Sequence, residues 1–235
     1  NPFASAFYIL AMLALGLVPS QASAYSIYVS NEKDNTITVV DSETMEAIKT
    51  VKVGQRPRGI AVTKDGKFIL VCASDDDTVE ILDASTYERL GTLPSGPDPE
   101  LLVLSPDGNT LYIANEDDNL ITIIDMASKS VISEIPVGVE PEGMGISPDG
   151  KILVNTSETT NMAHFVDTAT NEITQNVLVD QRPRFAEFRS DNSQVWVSSE
   201  IGGTVSVIDT KSFTIVKKIS FEIPGLRSEA IQPVG

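Results

Sequence analysis

Residues 99–125 read PELLVLSPDGNTLYIANEDDNLITIID, a stretch in which short apolar runs alternate with turn residues. The landmarks of this stretch recur at intervals of 42 residues. An apolar run ends in aspartate at Asp41, Asp83, Asp125, Asp167 and Asp209, and turn signals begin at Asp65, Asp107, Asp149 and Asp191. Prolines keep the same spacing at Pro57, Pro99, Pro141 and Pro183. Because independent landmarks share one period, the sequence predicts an internal structural repeat.

Within one period, the apolar residues follow the spacing of strands and not that of a helix. In the second repeat the predicted strands are Gly59–Val62, Phe68–Ala73, Thr78–Leu82 and Glu88–Leu93. Four short antiparallel strands in about 40 to 45 residues form one propeller blade. A β-sandwich gives no reason for a constant period. We therefore predict an all-β fold, a β-propeller of 42-residue, four-stranded blades with about five repeats.

The N-terminal region differs from the repeats. Phe7 to Val18 is an unbroken run of apolar or small residues, and it precedes the small-x-small segment Ala22-Ser23-Ala24. The run is too short to span a bilayer, and this arrangement is typical of a secretory signal peptide. We predict a signal peptide over residues 1–24 and a propeller over residues 25–235. The mature protein would then be periplasmic or secreted, with no membrane span.

The second strands of the repeats carry a family resemblance. The segments Tyr28–Asn31, Tyr112–Asn115 and Trp196–Ser199 lie 84 residues apart, and with the stretches that follow them they resemble the YVTN-type β-propeller repeat. The tail 229–235 and the paired Gln-Arg-Pro-Arg segments are similar to the PQQ-dependent catabolism-associated β-propeller subfamily. The family resemblance implies closure at seven blades, so we expect a truncated seven-bladed propeller that is incomplete at its C-terminus.

The composition limits the partners. Asp and Glu number 33 against 17 Lys and Arg, which gives a formal net charge of -16. This charge repels phosphate backbones, so we predict no nucleic-acid partner. One cysteine and one histidine exclude an internal disulfide and a multi-Cys or multi-His metal cage. We predict no cofactor.

Charged residues recur in loops that a propeller gathers on one face, because successive antiparallel strands reverse direction. The predicted ligand- or partner-binding residues are Arg56, Arg58, Asp98, Glu100, Glu140, Glu142, Arg182 and Arg184. The four equivalent positions Arg58, Glu100, Glu142 and Arg184 would form a ring of plus, minus, minus and plus charges at the channel mouth. Such a ring could hold a polar ligand through arginines or a cation between carboxylates. The alternative is a set of solvated charges that prevent edge aggregation and link adjacent blades.

Three other candidates have structural interpretations. His164 occupies a strand position held by Thr38, Glu80, Thr122 and Ser206 in the other repeats, so we expect a hydrogen-bonded structural residue and not a haem ligand. Cys72 lies among apolar neighbours and is expected to be a buried, inert thiol. The run Asp75–Asp77 lacks the ligand spacing of a calcium loop and is expected to be a surface turn.

These observations favour an exported binding or accessory protein over an enzyme, and they assign no catalytic or metal-binding residue. The subfamily resemblance implies association with PQQ-dependent (quinoprotein) alcohol oxidation. The partner would be a periplasmic quinoprotein dehydrogenase or a small polar ligand. The alternative is a lactonase-like or other propeller hydrolase with a metal in the central channel.

Overall fold

A computed structural model describes residues 25–221 of the chain. The first blade has three strands among these residues, β1 Ser26–Asn31, β2 Thr36–Asp41 and β3 Ala47–Lys52. The second blade has β4 Pro57–Val62, β5 Phe68–Ala73, β6 Thr78–Asp83 and β7 Arg89–Pro94. The third has β8 Pro99–Leu104, β9 Thr110–Asn115, β10 Leu120–Asp125 and β11 Ser130–Pro136.

The two remaining blades repeat the pattern. The fourth has β12 Pro141–Ile146, β13 Ile152–Ser157, β14 Met162–Asp167 and β15 Glu172–Leu178. The fifth has β16 Pro183–Phe188, β17 Gln194–Ser199, β18 Thr204–Asp209 and β19 Thr214–Ser220. Each blade is an antiparallel sheet whose strands are neighbours in chain order. The predicted all-β propeller of 42-residue blades is therefore confirmed, and the described part is a partial propeller.

The innermost strand of the second blade differs slightly from its predicted bounds. Strand β4 begins at Pro57 and not at Gly59, because the pairing with β5 shifts register between Pro57 and Ile60. This irregularity recurs in the third, fourth and fifth blades. The strands β4, β8, β12 and β16 pack against one another in sequence around the channel. The loops that precede these strands therefore meet at the channel mouth.

The core lies between blades, because each sheet presents apolar residues to both neighbours. Leu70 and Cys72 of the second blade pack with Leu102 and Ile113 of the third, and equivalent clusters lie at the other three blade interfaces. Burial of apolar surface on this scale provides the main driving force that holds the blades together. The channel mouth is thus supported by a rigid, repeated frame.

The predicted signal peptide lies outside the described residues, as do residues 222–235. Within residues 25–221, no helix has the length and apolar character needed to cross a membrane.

Candidate functional site

The loops that enter the innermost strands carry the predicted site residues in an uncommon backbone conformation. Arg56, Asp98, Glu140 and Arg182 have φ angles of 51°, 50°, 57° and 58°. Few residues other than glycine adopt positive φ, and surrounding contacts must hold them there. Each of their backbone N–H groups donates to a side-chain oxygen 21 residues earlier, in Asn35, Asp77, Asn119 and Asn161. The fold therefore fixes the direction in which each loop enters the mouth.

Arg58 links the second blade to three others at the mouth. Its Nη2 lies 2.5 Å from Glu100 Oε2 and 2.8 Å from Glu142 Oε1, and its Nη1 lies 3.3 Å from Glu32 Oε1. Arg184 pairs with the same Glu142 from the opposite side and also with Glu158. The predicted ring therefore exists as a continuous set of ion pairs between blades.

The other two arginines extend this network. Arg56 Nη1 lies 2.7 Å from Asp98 Oδ1, and Arg56 Nη2 lies 2.9 Å from Glu100 Oε1. Arg182 Nε lies 2.8 Å from Glu158 Oε2 and 3.4 Å from Glu200 Oε2. All four arginines of the predicted site are thus engaged by carboxylates of the protein itself.

Two ring carboxyls are withdrawn from solvent. Glu100 is 0% exposed and Glu142 is 4% exposed, so the interpretation of this ring as solvated charges is wrong for both. The same alternative also expected these charges to link adjacent blades, and the ion pairs agree with that expectation. Burial raises the pKa of Glu142 to about 7, although Arg184 and Arg58 lower it. Burial also raises the pKa of Glu100, against the effect of Arg58. Burial thus opposes ionisation of both carboxyls even beside the arginines.

An open cavity of about 460 Å³ lies beside the ring. It is lined by Glu116, Glu140, Glu158, Thr159, Asn161, Gln181, Arg182 and Ile201. Glu140 and Arg182 were predicted as site residues, and Glu140 is fixed by a hydrogen bond from the Thr159 hydroxyl. Glu158 lines the cavity and pairs with Arg184 of the ring, so all eight predicted residues lie in one connected region.

The predicted set omits several carboxylates that complete the site. Glu32, Glu116, Glu158 and Glu200 directly follow the second strand of their repeats, and Ser74 holds this position in the second repeat. Their 42-residue spacing was a signal that could have included them. Carboxylate oxygens of Asp98, Glu100 and Glu116 lie within 4.8 Å of one another. Because Arg56 already bridges Asp98 and Glu100, we assign no metal to this group.

His164 has the structural role expected of it. Its Nε2 accepts the backbone N–H of Gly138 at 3.2 Å, so the ring proton lies on Nδ1, which donates to Asn176 Oδ1 at 2.5 Å. Burial lowers the pKa of His164. Both ring nitrogens are therefore occupied in the fold.

The expectations for Cys72 and the acidic run are also confirmed. Cys72 is 0% exposed, and burial raises the pKa of its thiol well above the usual value, so the nucleophilic thiolate is disfavoured. The run Asp75–Asp77 is exposed and belongs to a turn whose 3-10 segment is Ser74–Asp76. Asp76 accepts the backbone N–H of Gln55, which gives it a structural role.

These features define a class: a β-propeller of repeated blades whose channel mouth carries a buried network of arginines and carboxylates. The family model for YNCE-like beta-propellers matches residues 6–116, and the model for the cytochrome D1 heme domain matches residues 74–184. Each match covers less than half of the chain, and both agree with the YVTN-type β-propeller repeat that the sequence resembles.

Among solved structures, Kuenenia stuttgartiensis hydrazine synthase is similar, with a TM-score of 0.72 and 26% sequence identity. The match covers 80% of this chain and 60% of that chain, so this chain spans less than two thirds of the relative. None of the curated proteins matches the sequence. Neither His164 nor Cys72 fits the role of a ligand to the haem in the cytochrome D1 description, because His164 uses both ring nitrogens within the fold and Cys72 is buried.

Proposed function

We propose that this protein is an exported, non-catalytic binding protein whose channel mouth binds a positively charged surface of a partner. The observation that carries the proposal is the charge balance of this face. Seven carboxylates pair with the four arginines: Glu32, Asp75, Asp98, Glu100, Glu142, Glu158 and Glu200. Glu116 and Glu140 of the cavity bring the total to nine carboxylates against four guanidiniums.

The excess of negative charge decides which kind of partner suits the face. An anionic ligand would have to displace carboxylates from the arginines, whereas a cationic group meets a field of the opposite sign. The resemblance to the PQQ-dependent catabolism-associated subfamily supports a quinoprotein dehydrogenase of the periplasm as the partner. The docking surface of that enzyme would then be rich in lysine and arginine. A small polar ligand of the cavity would likewise carry a positive charge.

The alternative is a lactonase-like hydrolase with a metal in the central channel. The group Asp98, Glu100 and Glu116 is the only observation that favours it within residues 25–221, and Arg56 occupies two of those carboxylates. Haem chemistry has no support from His164 or Cys72. The geometry therefore favours binding over catalysis.

The test uses a hexalysine peptide as a basic probe, with binding measured by calorimetry at low and high salt. Glu140→Lys reverses a charge at the cavity and is expected to weaken binding by about tenfold, with a smaller loss at high salt because exposed charges are screened. Glu88→Lys is the matched control, since Glu88 is exposed in a turn at the opposite end of its blade. Equal effects of the two variants, or metal-dependent lactone hydrolysis by the wild type, would overturn the proposal.

A further inference from the structure

Two carboxyl groups meet at the wall of the cavity. Glu100 projects from β8 and is fully buried, and Glu116 follows β9, is half-buried and lines the cavity. Their oxygens and those of Asp98 lie within 4.8 Å of one another. Two ionised carboxylates at this separation and burial repel strongly, and a proton held by one of them removes the repulsion.

The charges around this pair do not neutralise it. Arg56 faces it from the loop before β4, and Arg58 faces it from β4. The carboxylates of Asp98, Glu142 and Glu158 face it from the loop before β8, from β12 and from the turn after β13. Arg184 also pairs with Glu142 and Glu158, and Arg182 pairs with Glu158. Glu32 shares Arg56 and Arg58, so six carboxylates, including the pair itself, share four guanidiniums. The shortfall of positive charge favours retention of a proton at the pair.

The electrostatics of Glu116 agree with this geometry. Burial raises the pKa of Glu116, and Asp98 and Glu158 act in the same direction, while a hydrogen bond with Glu100 and the charge of Arg56 lower it. A hydrogen bond between two carboxyl groups requires a proton on one of them. Since Glu116 lines the open cavity, that proton has a direct path to solvent.

We propose that a cation bound in the cavity replaces the proton shared by Glu100 and Glu116, so that binding of the basic partner releases a proton to solvent. This inference rests on the proposed function, because it concerns the same site and the same class of partner. The positive charge of the ligand substitutes for that of the proton, and the pair then ionises. Affinity for the cation therefore rises with pH, by up to about tenfold per pH unit while the free pair holds its proton.

The test is calorimetric titration of the protein with hexalysine at pH 7, in phosphate and in Tris buffer. These buffers take up a proton with very different heats, so the difference between the two measured heats gives the number of protons released. We expect a release of up to about one proton per bound peptide. Glu116→Gln is expected to abolish the release and to weaken binding, since glutamine donates to Glu100 without titrating.

Asp117→Asn is the matched control. It removes the same charge from the neighbouring exposed position, so it should weaken binding while the proton release remains as in the wild type. A second readout needs no ligand. The infrared carbonyl band of a protonated carboxylic acid should be present in the free wild type at pH 7 and reduced in Glu116→Gln.

The outcomes separate the two proposals. Peptide binding with identical heats in both buffers would overturn the proton exchange and leave the proposed function standing. Absence of peptide binding at every pH and salt concentration would overturn the proposed function and this inference with it. Proton release that Asp117→Asn removes as fully as Glu116→Gln would place the proton outside the carboxyl pair and would also overturn the inference.

Discussion

The two ends of each blade use acidic residues in opposite ways. At the end away from the channel mouth, the aspartate that ends the third strand accepts backbone N–H groups of the following turn, as Asp83 does from Ser85 and Thr86 at 2.8 Å each. Hydrogen bonds from hydroxyl groups and backbone N–H groups of the turn lower the pKa values of Asp41, Asp83, Asp125 and Asp209. At the mouth, burial raises the pKa values of Glu100 and Glu142.

The difference shows which acidic residues serve the fold and which suit a function. A carboxylate that accepts local backbone donors is stabilised as the charged form and closes a turn. A buried carboxyl held between arginines opposes folding unless every partner remains in place. Residues that work against stability are concentrated at functional sites.

The largest expected effect comes from removal of a central ring arginine. Arg58→Ala would leave Glu100 and Glu142 buried with fewer positive partners, and should lower the free energy of unfolding by about 3–5 kcal/mol. Lys151→Ala removes an exposed pair with Asp149 at the opposite end and should cost about 0–1 kcal/mol. Chemical denaturation of both variants measures the difference. Similar losses would show that the ring contributes no more than a surface pair.

An intermediate effect is expected in the pH dependence of stability. The pKa of folded Glu142 is raised to about 7 from an ordinary value of 4.5, so the folded state binds this proton more tightly than the unfolded state. The stabilising contribution is complete below pH 4.5 and is lost as the pH rises through 7, by on the order of 3 kcal/mol. Glu142→Gln should flatten this slope in denaturation curves recorded from pH 4.5 to 8, whereas an unchanged slope would assign it to another group.

The smallest effect is expected at the opposite end, below pH 4. The pKa of Asp83 is lowered to about 2 from 3.8, so its contribution is present above pH 3.8 and is lost as the pH falls through 2. Asp83→Asn keeps an acceptor oxygen but does not titrate, so it should reduce the acid-induced loss slightly. Glu142→Gln should leave the loss of stability below pH 4 unchanged. If one variant altered the stability in both pH ranges, the channel mouth and the opposite end of the blade would not be electrostatically independent.

The glycines that precede the innermost strands show how much of the packing the sequence repeat predicts. Gly54, Gly96 and Gly138 share the period, which then continues with Asp180. A Cβ on Gly138 would lie 2.4 Å from Thr160 Oγ1, whereas in the fifth blade the glycine has moved to Gly202, where a Cβ would lie 2.5 Å from Asp180 Cβ. In the fifth blade the larger residue and the glycine have therefore exchanged sides of this contact, so the space between them is kept. The sequence shows both positions but not that they touch.

For the site, too, the sequence predicted the positions of the residues but not their contacts. The eight charged residues and the face that carries them could be derived from the repeat, because antiparallel alternation places equivalent loops together. The pairing of Arg58 with Glu142, which are 84 residues apart, and the full burial of Glu100 could not. Because the sequence does not show burial or pairing between distant residues, solvated charges remained an alternative.

By itself, the sequence determined the blade: its period, its four strands and the aspartates that close its turns, all of which depend on residues near one another in the chain. Only the tertiary structure decided which charges at the mouth are buried, which arginines they meet and in which direction their pKa values move. The physical reason is that hydrogen bonds within a turn are local, whereas the desolvation and Coulomb energies of Glu100 and Glu142 are sums over several blades.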